Sequence, residues 1–280
     1  VKKVVRPGDR KNIVAYLGQT FQVSIRRACK TINLAKSLYY YDSVRDDSEV
    51  ISKLRELADN KPAEGQDKLY ARIRQQGYNW NYKRVRRVYL LMGLNKRSKR
   101  RKRLPVRVKE PLTRTGELNR SWSMDFMHDT LMNSRKFRTL NIIDDCNRKA
   151  LAIEADFSFP AQSVVATLKK VIHEYGKPNK IRVDNGPEFI STLFTDWCQQ
   201  QEISVQHIQP GKPCQNGYIE RFNRTYRQDV LDAYLFESIH QVRMITEDWI
   251  NDYNNQRPHE ALNGLTPKQF EESLSFELLV

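Results

Sequence analysis

Cysteine is scarce and scattered in this chain. The four thiols, Cys29, Cys146, Cys198 and Cys214, never fall into C-x-x-C spacing, and the five histidines are equally dispersed. Neither a structural zinc site nor a disulfide framework is expected, and the pattern fits a reducing compartment. There is no run of eighteen apolar residues, no apolar signal-peptide core and no lipidation motif, so the expectation is a soluble, cytoplasmic protein with no membrane partner. A Gly-rich nucleotide loop is missing too. Aromatic residues are not in short supply: four Trp, thirteen Tyr and eleven Phe, with 39% hydrophobic residues overall, exclude wholesale disorder. The 280 residues leave room for one large domain or two to three smaller ones.

Acidic residues are thin in the first part of the chain. Residues 1–110 hold 29 Lys and Arg against 10 Asp and Glu, a balance of +19, whereas residues 111–280 hold 19 against 23, a balance of −4. One strongly basic half joined to a near-neutral half reads as a polyanion-binding module attached to a part with another task. An interfacial membrane helix would need a strongly apolar face, which the basic half lacks.

Helical spacing dominates that half. Over 12–41, Ile13, Ala15, Tyr16, Ile25, Ala28, Cys29 and Ile32 predict short helices separated at Thr31-Ile32-Asn33-Leu34, with Ser24 as an N-cap. Residues 1–45 therefore form a small helix-turn-helix-like segment, a geometry many small helical packings share. A second group, residues 46–95, places Val50, Ile51, Leu54 and Leu57 on one helical face, Leu69 and Ile73 on the next with Arg72 and Arg74 flanking, and Val85, Val88, Tyr89 and Met92 on a third. Lys83, Arg84, Arg86 and Arg87 lie outside that last face, after a Gly-containing turn. A basic helix so placed suits a DNA major groove, or else a solvated surface. Residues 96–112 then form a basic linker. Lys96, Arg97, Lys99, Arg100, Arg101, Lys102 and Arg103 make a block that repels itself unless phosphates neutralise it, a backbone clamp without base-reading logic.

Beyond Arg120 the period becomes two. SWSMDFMH alternates Trp122, Met124 and Phe126 against Ser121, Ser123 and Asp125; FRTLNIID (137–144) and ALAIEADF (150–157) predict two further strands. A helix over 161–175, a strand ending at Asp184, a helix over 188–200, a strand over 203–208 and a helix starting near Asn216 follow. This α/β order matches a ribonuclease-H-like mixed sheet with flanking helices over 113–235, and 236–280 is expected to be a C-terminal helical extension.

In that layout three carboxylates stand where elements end or cross: Asp125 on the polar face of the first strand, Asp184 at the exit of the fourth, and Glu220 early in the following helix. The Asn185-Gly186-Pro187 turn after Asp184 is either an ordinary turn or a device that aims Asp184. If the two strands pair, their carboxylates converge, because adjacent strands lie about 5 Å apart. Such a cluster repels itself unless a cation such as Mg²⁺ relieves it. Two ions about 4 Å apart would suit in-line phosphoryl displacement.

WSMDF, VDNGPEF and NGYIERFNR resemble the three blocks of the DDE transposase and retroviral integrase catalytic core, with thirty-five residues between Asp184 and Glu220. WINDYNNQRPHEALNGLTP (249–267) is similar to the C-terminal block of bacterial insertion-sequence transposases. GQDKLYARIRQQGYNWNYKRVRRVYLLMGL is similar to the helix-turn-helix region upstream of that core. The match spans nearly all of 46–270 and is nearest to the second-reading-frame product of the insertion-sequence three family. The resemblance implies that Asp125, Asp184 and Glu220 bind two Mg²⁺ ions, with Mn²⁺ able to substitute, and carry out DNA strand cleavage and transfer. It implies double-stranded DNA as partner (element ends and target), a homo-oligomer on DNA, a nucleoid-associated location, and an upstream reading-frame product, fused or separate. The histidine and cysteine zinc module of retroviral integrases has no counterpart here, which leaves recognition of DNA ends to the basic half.

Other residues invite weaker readings. Asp144 and Asp145 read as a hairpin turn, and Glu188 as a helix-dipole partner. Arg221, Arg224 and Arg227 share the helix of Glu220, and Arg224, one turn on, is placed for a salt bridge to it or for a phosphate contact. His259 reads as a cap or packing residue. Two rivals use the same residues: a ribonuclease-H-type or structure-specific nuclease that joins no strands, and a non-catalytic DNA-binding regulator.

Overall fold

The computed structural model describes residues 7–42, 46–95, 116–209 and 216–277. The chain divides into two compact units, Val1–Glu49 and Val50–Val280. In the first, α1 (Pro7–Phe21), α2 (Ile25–Ile32) and α3 (Lys36–Tyr40) close over Val14, Ala28, Cys29 and Leu34. Ser24 caps α2 as expected, its hydroxyl accepting from the Arg27 N–H at 3.4 Å. The break falls later than the sequence suggests. Thr31 and Ile32 still belong to α2, and the chain leaves it at Asn33, whose left-handed φ of 54° returns its N–H to the carbonyls of Cys29 and Lys30.

The second unit opens with α4 (Ser48–Asn60), α5 (Gln66–Gln75) and α6 (Tyr82–Leu91), packed through Val50, Leu54, Leu57, Leu69, Ile73, Val85, Val88 and Tyr89. Asn81 caps α6, accepting from the Lys83 N–H at 2.8 Å. Lys83, Arg86 and Arg87 are exposed and Arg84 partly so. The basic run Lys96–Arg103 lies outside the described residues.

Five strands follow: β1 (Ser121–Thr130), β2 (Lys136–Asp144), β3 (Ala150–Asp156), β4 (Lys180–Val183) and β5 (Ser204–His207), in the order β3-β2-β1-β4-β5. The β1–β2 and β2–β3 pairs are antiparallel, and β4 and β5 run parallel to β1. This mixed sheet with helices on both faces is the layout the sequence predicts. On one face Trp122, Met124, Leu140 and Ile142 meet α7 (Ala161–Tyr175), α8 (Pro187–Ile190) and α9 (Thr192–Gln200) through Val164, Leu168, Phe189 and Phe194. On the other, Met127, Phe137, Ile143 and Ile153 meet α10 (Gly217–Tyr226), a π-helical turn (Arg227–Leu231) and α11 (Ile239–Asn255) through Ile219, Phe222, Tyr226 and Trp249. The chain then runs into α12 (Pro267–Glu277).

One predicted element needs correction. The single helix over 188–200 is two helices: Ser191 adopts an extended ψ of 141° and its hydroxyl caps α9 by accepting from the Phe194 N–H. A capping serine competes with helix continuation, so the kink is local in origin. No helix of the described residues is long and apolar enough to cross a membrane.

Arg72, which the sequence places merely beside an apolar face, is buried at the junction of α5 and α11. Its Nε and one Nη reach both oxygens of buried Glu64 at 2.7 and 2.8 Å, and the guanidinium also reaches Asp252 at 3.1 and 2.8 Å. Arg257 adds a contact to Glu64 at 3.3 Å. Burial pushes the Asp252 carboxyl up, but the Arg72 guanidinium outweighs that and holds it below the ordinary range. Replacing Arg72 with Met leaves Glu64, at 4% exposure, with only the longer Arg257 contact, and the expected loss in urea unfolding is about 3 kcal/mol, the lower end of the cost of breaking one side of a buried pair. A loss below about 1 kcal/mol, the range of surface pairs, contradicts this role.

Candidate active site

The site is built on the parallel pairing of β1 with β4. Ser121, Trp122 and Ser123 stand opposite Lys180, Ile181 and Arg182. Carried two residues further, that register sets Asp125 opposite Asp184. In parallel strands, residues at matched positions point to the same face at a spacing of about 5 Å. Both carboxylates therefore share the face that α10 covers, while Trp122, Met124, Ile181 and Val183 fill the opposite core.

α10 is brought to them by a chain of amides. Asn141, paired with Asp125 across β1 and β2, donates through Nδ2 to Asn223 Oδ1 at 2.7 Å, and Asn223 Nδ2 donates to Asp125 Oδ2 at 2.8 Å. The Phe126 N–H donates to Asp125 Oδ1 at 2.9 Å. Glu220 sits three residues before Asn223, on the same face of the helix and one turn nearer its start. Burial pushes the Asp125 carboxyl up, and the charges of Asp184 and Glu220 push it further, to about 6, against the donors from Phe126 and Asn223. Asp184 and Glu220 therefore both act electrostatically on Asp125.

Asp184 leaves β4 into a tight turn. The Gly186 N–H donates to Asp184 Oδ1 at 2.9 Å, and Asn185 Nδ2 donates to the Ile208 carbonyl at 3.0 Å, tying the turn to the chain just beyond β5. A Cβ at position 186 would stand 3.0 Å from Asp184 Oδ1 and 3.3 Å from Glu188 Oε2, so glycine is what lets both carboxylates fold over this backbone. Pro187 occupies the start of α8. The turn thus fixes Asp184.

Several supporting residues do more than their sequence reading gave them. Asp145 is not a solvent-facing turn residue but a buried anchor. It accepts from Ser121 Oγ at 2.9 Å, Ser123 Oγ at 2.6 Å and Arg182 at 3.1 Å, and so bridges β1 to β4. Asp144 is buried as well, accepting from the N–H groups of Asn119 and Cys146, and burial is the main cause that raises its carboxyl to about 6. Glu188 pairs with Arg138, whose guanidinium lies 4.1 Å from the Phe126 ring centre. Burial would raise Glu188, but Arg138 holds it below the ordinary range. The available signal was polar residues at core-facing strand positions, Asn141 within TLNIID above all, and Asn223 within the NGYIERFNR block.

The predicted arginines of α10 divide. Arg227 reaches Asp129 at 3.8 Å and Asp232 at 3.7 Å, and donates to the His128 carbonyl. Among the described residues no ion pair joins Arg224 to Glu220, and Arg221 and Arg224 are exposed. His259 packs edge-on against Tyr253 at 4.7 Å, the packing role expected of it.

The donor set suits a hard divalent cation. The charges of Asp184 and Glu220 both bear on Asp125, and among the described residues none of the three has an ion-pair partner. Among those residues no group of three or more His, Cys, Asp or Glu side chains is placed to hold a metal ion, so Asp125, Asp184 and Glu220 do not stand as a ready ligand set. Mg²⁺ is commonly held by one or two carboxylates, water and substrate phosphate, so no all-protein cage is required.

Two family models, both described as an integrase core domain, match residues 117–213 and 201–267. The chain is 36% identical over 250 residues to the insertion element IS407 uncharacterized 31.7 kDa protein of Burkholderia multivorans, covering 89% of this chain and 90% of that one. It is 32% identical over 270 residues to the insertion element IS476 uncharacterized 39.2 kDa protein of Xanthomonas euvesicatoria, covering 96% and 78%. Its fold is similar to that of a chain in the simian T-cell lymphotropic virus intasome bound to the PP2A regulatory subunit B56 gamma, with a TM-score of 0.50 at 17% identity, covering 79% and 73%.

Substituting Asn223 with Ala leaves the Asn141 amide and Asp125 Oδ2 without their partner. The expected destabilisation is about 1–3 kcal/mol in urea unfolding, the desolvation penalty of stranded buried polar groups. A change within about 0.5 kcal/mol, as at an ordinary surface position, contradicts the anchoring of α10 by this side chain.

Proposed function

The chain belongs to the integrase-core family of bacterial insertion-element transposases, and from that premise we propose that it binds its element's terminal inverted repeats and catalyses DNA strand cleavage and strand transfer at Asp125, Asp184 and Glu220. The observation that carries the reading is the β1–β4 register, which sets Asp125 and Asp184 on one face, with Asn223 drawing the helix of Glu220 onto them. A regulator that only binds DNA has no use for three acids left without a cation.

The residues divide the work. Asp125, Asp184 and Glu220 would hold two Mg²⁺ ions, or Mn²⁺ in their place. Bound ions of this kind activate the attacking oxygen and stabilise the leaving one in an in-line displacement. Asn223 and the Phe126 N–H orient Asp125, and the Gly186 N–H orients Asp184. Arg138 neutralises Glu188, which keeps a fourth charge from adding to the cluster. The attacking oxygen comes from water in hydrolytic steps and from a DNA 3′-hydroxyl in transfer.

DNA is held by the basic half. α5, the turn over 76–81 and α6 form the helix-turn-helix, with Lys83, Arg84, Arg86 and Arg87 on the groove-facing helix. Lys96, Arg97, Lys99, Arg100, Arg101, Lys102 and Arg103 clamp backbone phosphates. Arg221, Arg224 and Arg227 lie along the helix of Glu220 and its continuation and contact DNA phosphates, Arg224, one turn beyond Glu220, nearest the scissile bond. Two element ends must be held together, so the working form is an oligomer on DNA, with the upstream reading-frame product fused or separate.

Labelled terminal-repeat DNA, target DNA and Mg²⁺ test the reading. The wild type is expected to give joined strands, and Asp184→Asn to lower them by about a hundredfold or more, the upper end of what losing even an outer partner of a metal ligand costs. Degradation of RNA–DNA hybrid or of branched DNA without joining would turn the assignment to a nuclease. DNA binding with no product from either protein would turn it to a regulator.

A further inference from the structure

The stripe of α10 opposite Glu220 and Asn223 borders a cleft of about 140 Å³ that the site described above does not use. Tyr218, Arg221, Phe222 and Thr225 recur there at helical spacing. Cations reach the cleft from four separate parts of the chain: Lys68 on α5, Arg148 in the link between β2 and β3, Arg221 on α10 and Arg257 after α11. Among the described residues the only acidic one lining it is Glu260, which is exposed.

Not all of that charge is free. Arg257 is neutralised by Asp229 at 2.5 Å and Glu64 at 3.3 Å. Arg148 has neutral partners only: its guanidinium lies 3.3 Å from the Tyr218 ring centre and donates to the Asp145 carbonyl. Among the described residues Lys68 and Arg221 form no ion pair. Three uncompensated cations therefore share a half-buried cleft, an arrangement that repels itself and is relieved by an anion. Burial first, then the charges of Arg257 and Arg221, pushes the Lys68 ammonium down to about 8 against the pull of Glu64 and Asp229. At the same place His259 Nε2 is buried without a hydrogen-bond partner.

We propose that this cleft is a phosphate-binding pocket that seats one backbone phosphate of DNA on the side of α10 away from Glu220, with Lys68, Arg148 and Arg221 as its charged contacts. Arg148 is pre-set by its stacking on Tyr218, and a planar guanidinium so fixed presents a fork that matches two phosphate oxygens. Lys68 comes from the helical segment ahead of the core, and Arg221 from the helix of Glu220. One phosphate held between them ties the DNA-binding helices to the catalytic helix. That the phosphate is DNA's rests on the transposase reading; the cleft's affinity for the anion does not.

The full chain, lightly acetylated at pH 7.5 in inorganic phosphate or in sodium chloride at equal ionic strength, tests the pocket. Acetylation of Lys68, followed by mass spectrometry, is expected to fall severalfold in phosphate while that of exposed Lys83 stays constant. Equal labelling of Lys68 in the two salts overturns the pocket. The source of the phosphate is read from duplex DNA binding across a salt series. Lys68→Gln is expected to lower the slope of log affinity against log salt by about one, as for a lost phosphate contact, and Lys68→Arg to restore it. Protection by phosphate with an unchanged slope keeps the pocket and removes DNA as its occupant. Unfolding curves for both variants separate a lost contact from a lost fold. Absence of strand transfer alone would count against the proposed function and leave the acetylation result standing.

Discussion

One buried carboxylate locks the register on which the site depends. Asp145 takes hydrogen bonds from Ser121 and Ser123 on β1 and from Arg182 on β4, and its own N–H donates to the Ser121 carbonyl. With both strands tied to the same side chain, a slip between them would leave an ionised carboxylate buried without its cation, at a cost of several kcal/mol. The register in turn sets Asp125 opposite Asp184. A slip by one residue would send one of the two to the far face, into the core of Trp122, Met124 and Phe194. The geometry of the candidate site is thus inherited from an interaction outside it.

Several acids of the second unit are paired. Glu64, Asp145, Glu188, Asp229 and Asp252 each have an arginine. Asp125, Asp184 and Glu220 have none among the described residues, and burial, with the charges of Asp184 and Glu220, pushes Asp125 up. Energetic neglect at one place, beside careful pairing around it, marks where the protein expects charge from outside. The basic cleft behind α10 is the inverse case, cations gathered without enough carboxylates. A polyphosphate chain spanning both would answer the two imbalances together.

Much of this was legible in the sequence, where local periodicity carries the information. Alternation in SWSMDFMH set Asp125 opposite in sense to Trp122 and Met124, and the Ser24 cap could be read because a cap is a neighbour-to-neighbour interaction. What escaped was long-range. Arg72 looks like a surface basic residue until α11 supplies Asp252, 180 positions away. Asp145 looks like a turn residue until Arg182 arrives from β4. Asn223 and Asn141 are uncharged, and only the docking of α10 reveals that they form one chain to Asp125. Ser191 broke a predicted helix because its hydroxyl preferred to cap the next one. No periodicity reports side chains that meet only after the sheet has closed.

The most direct measurement replaces Mg²⁺ with Fe²⁺ and lets ascorbate and peroxide generate hydroxyl radicals at the bound ion, in the presence of element-end DNA. Fragments of the polypeptide then report which backbone lies beside the metal. If Asp125, Asp184 and Glu220 share one ion site, cuts fall in three separate segments, in β1, in the turn after β4 and early in α10, and all three fade together when excess Mg²⁺ is added. Cuts confined to a single segment, or placed away from all three, would contradict the shared site.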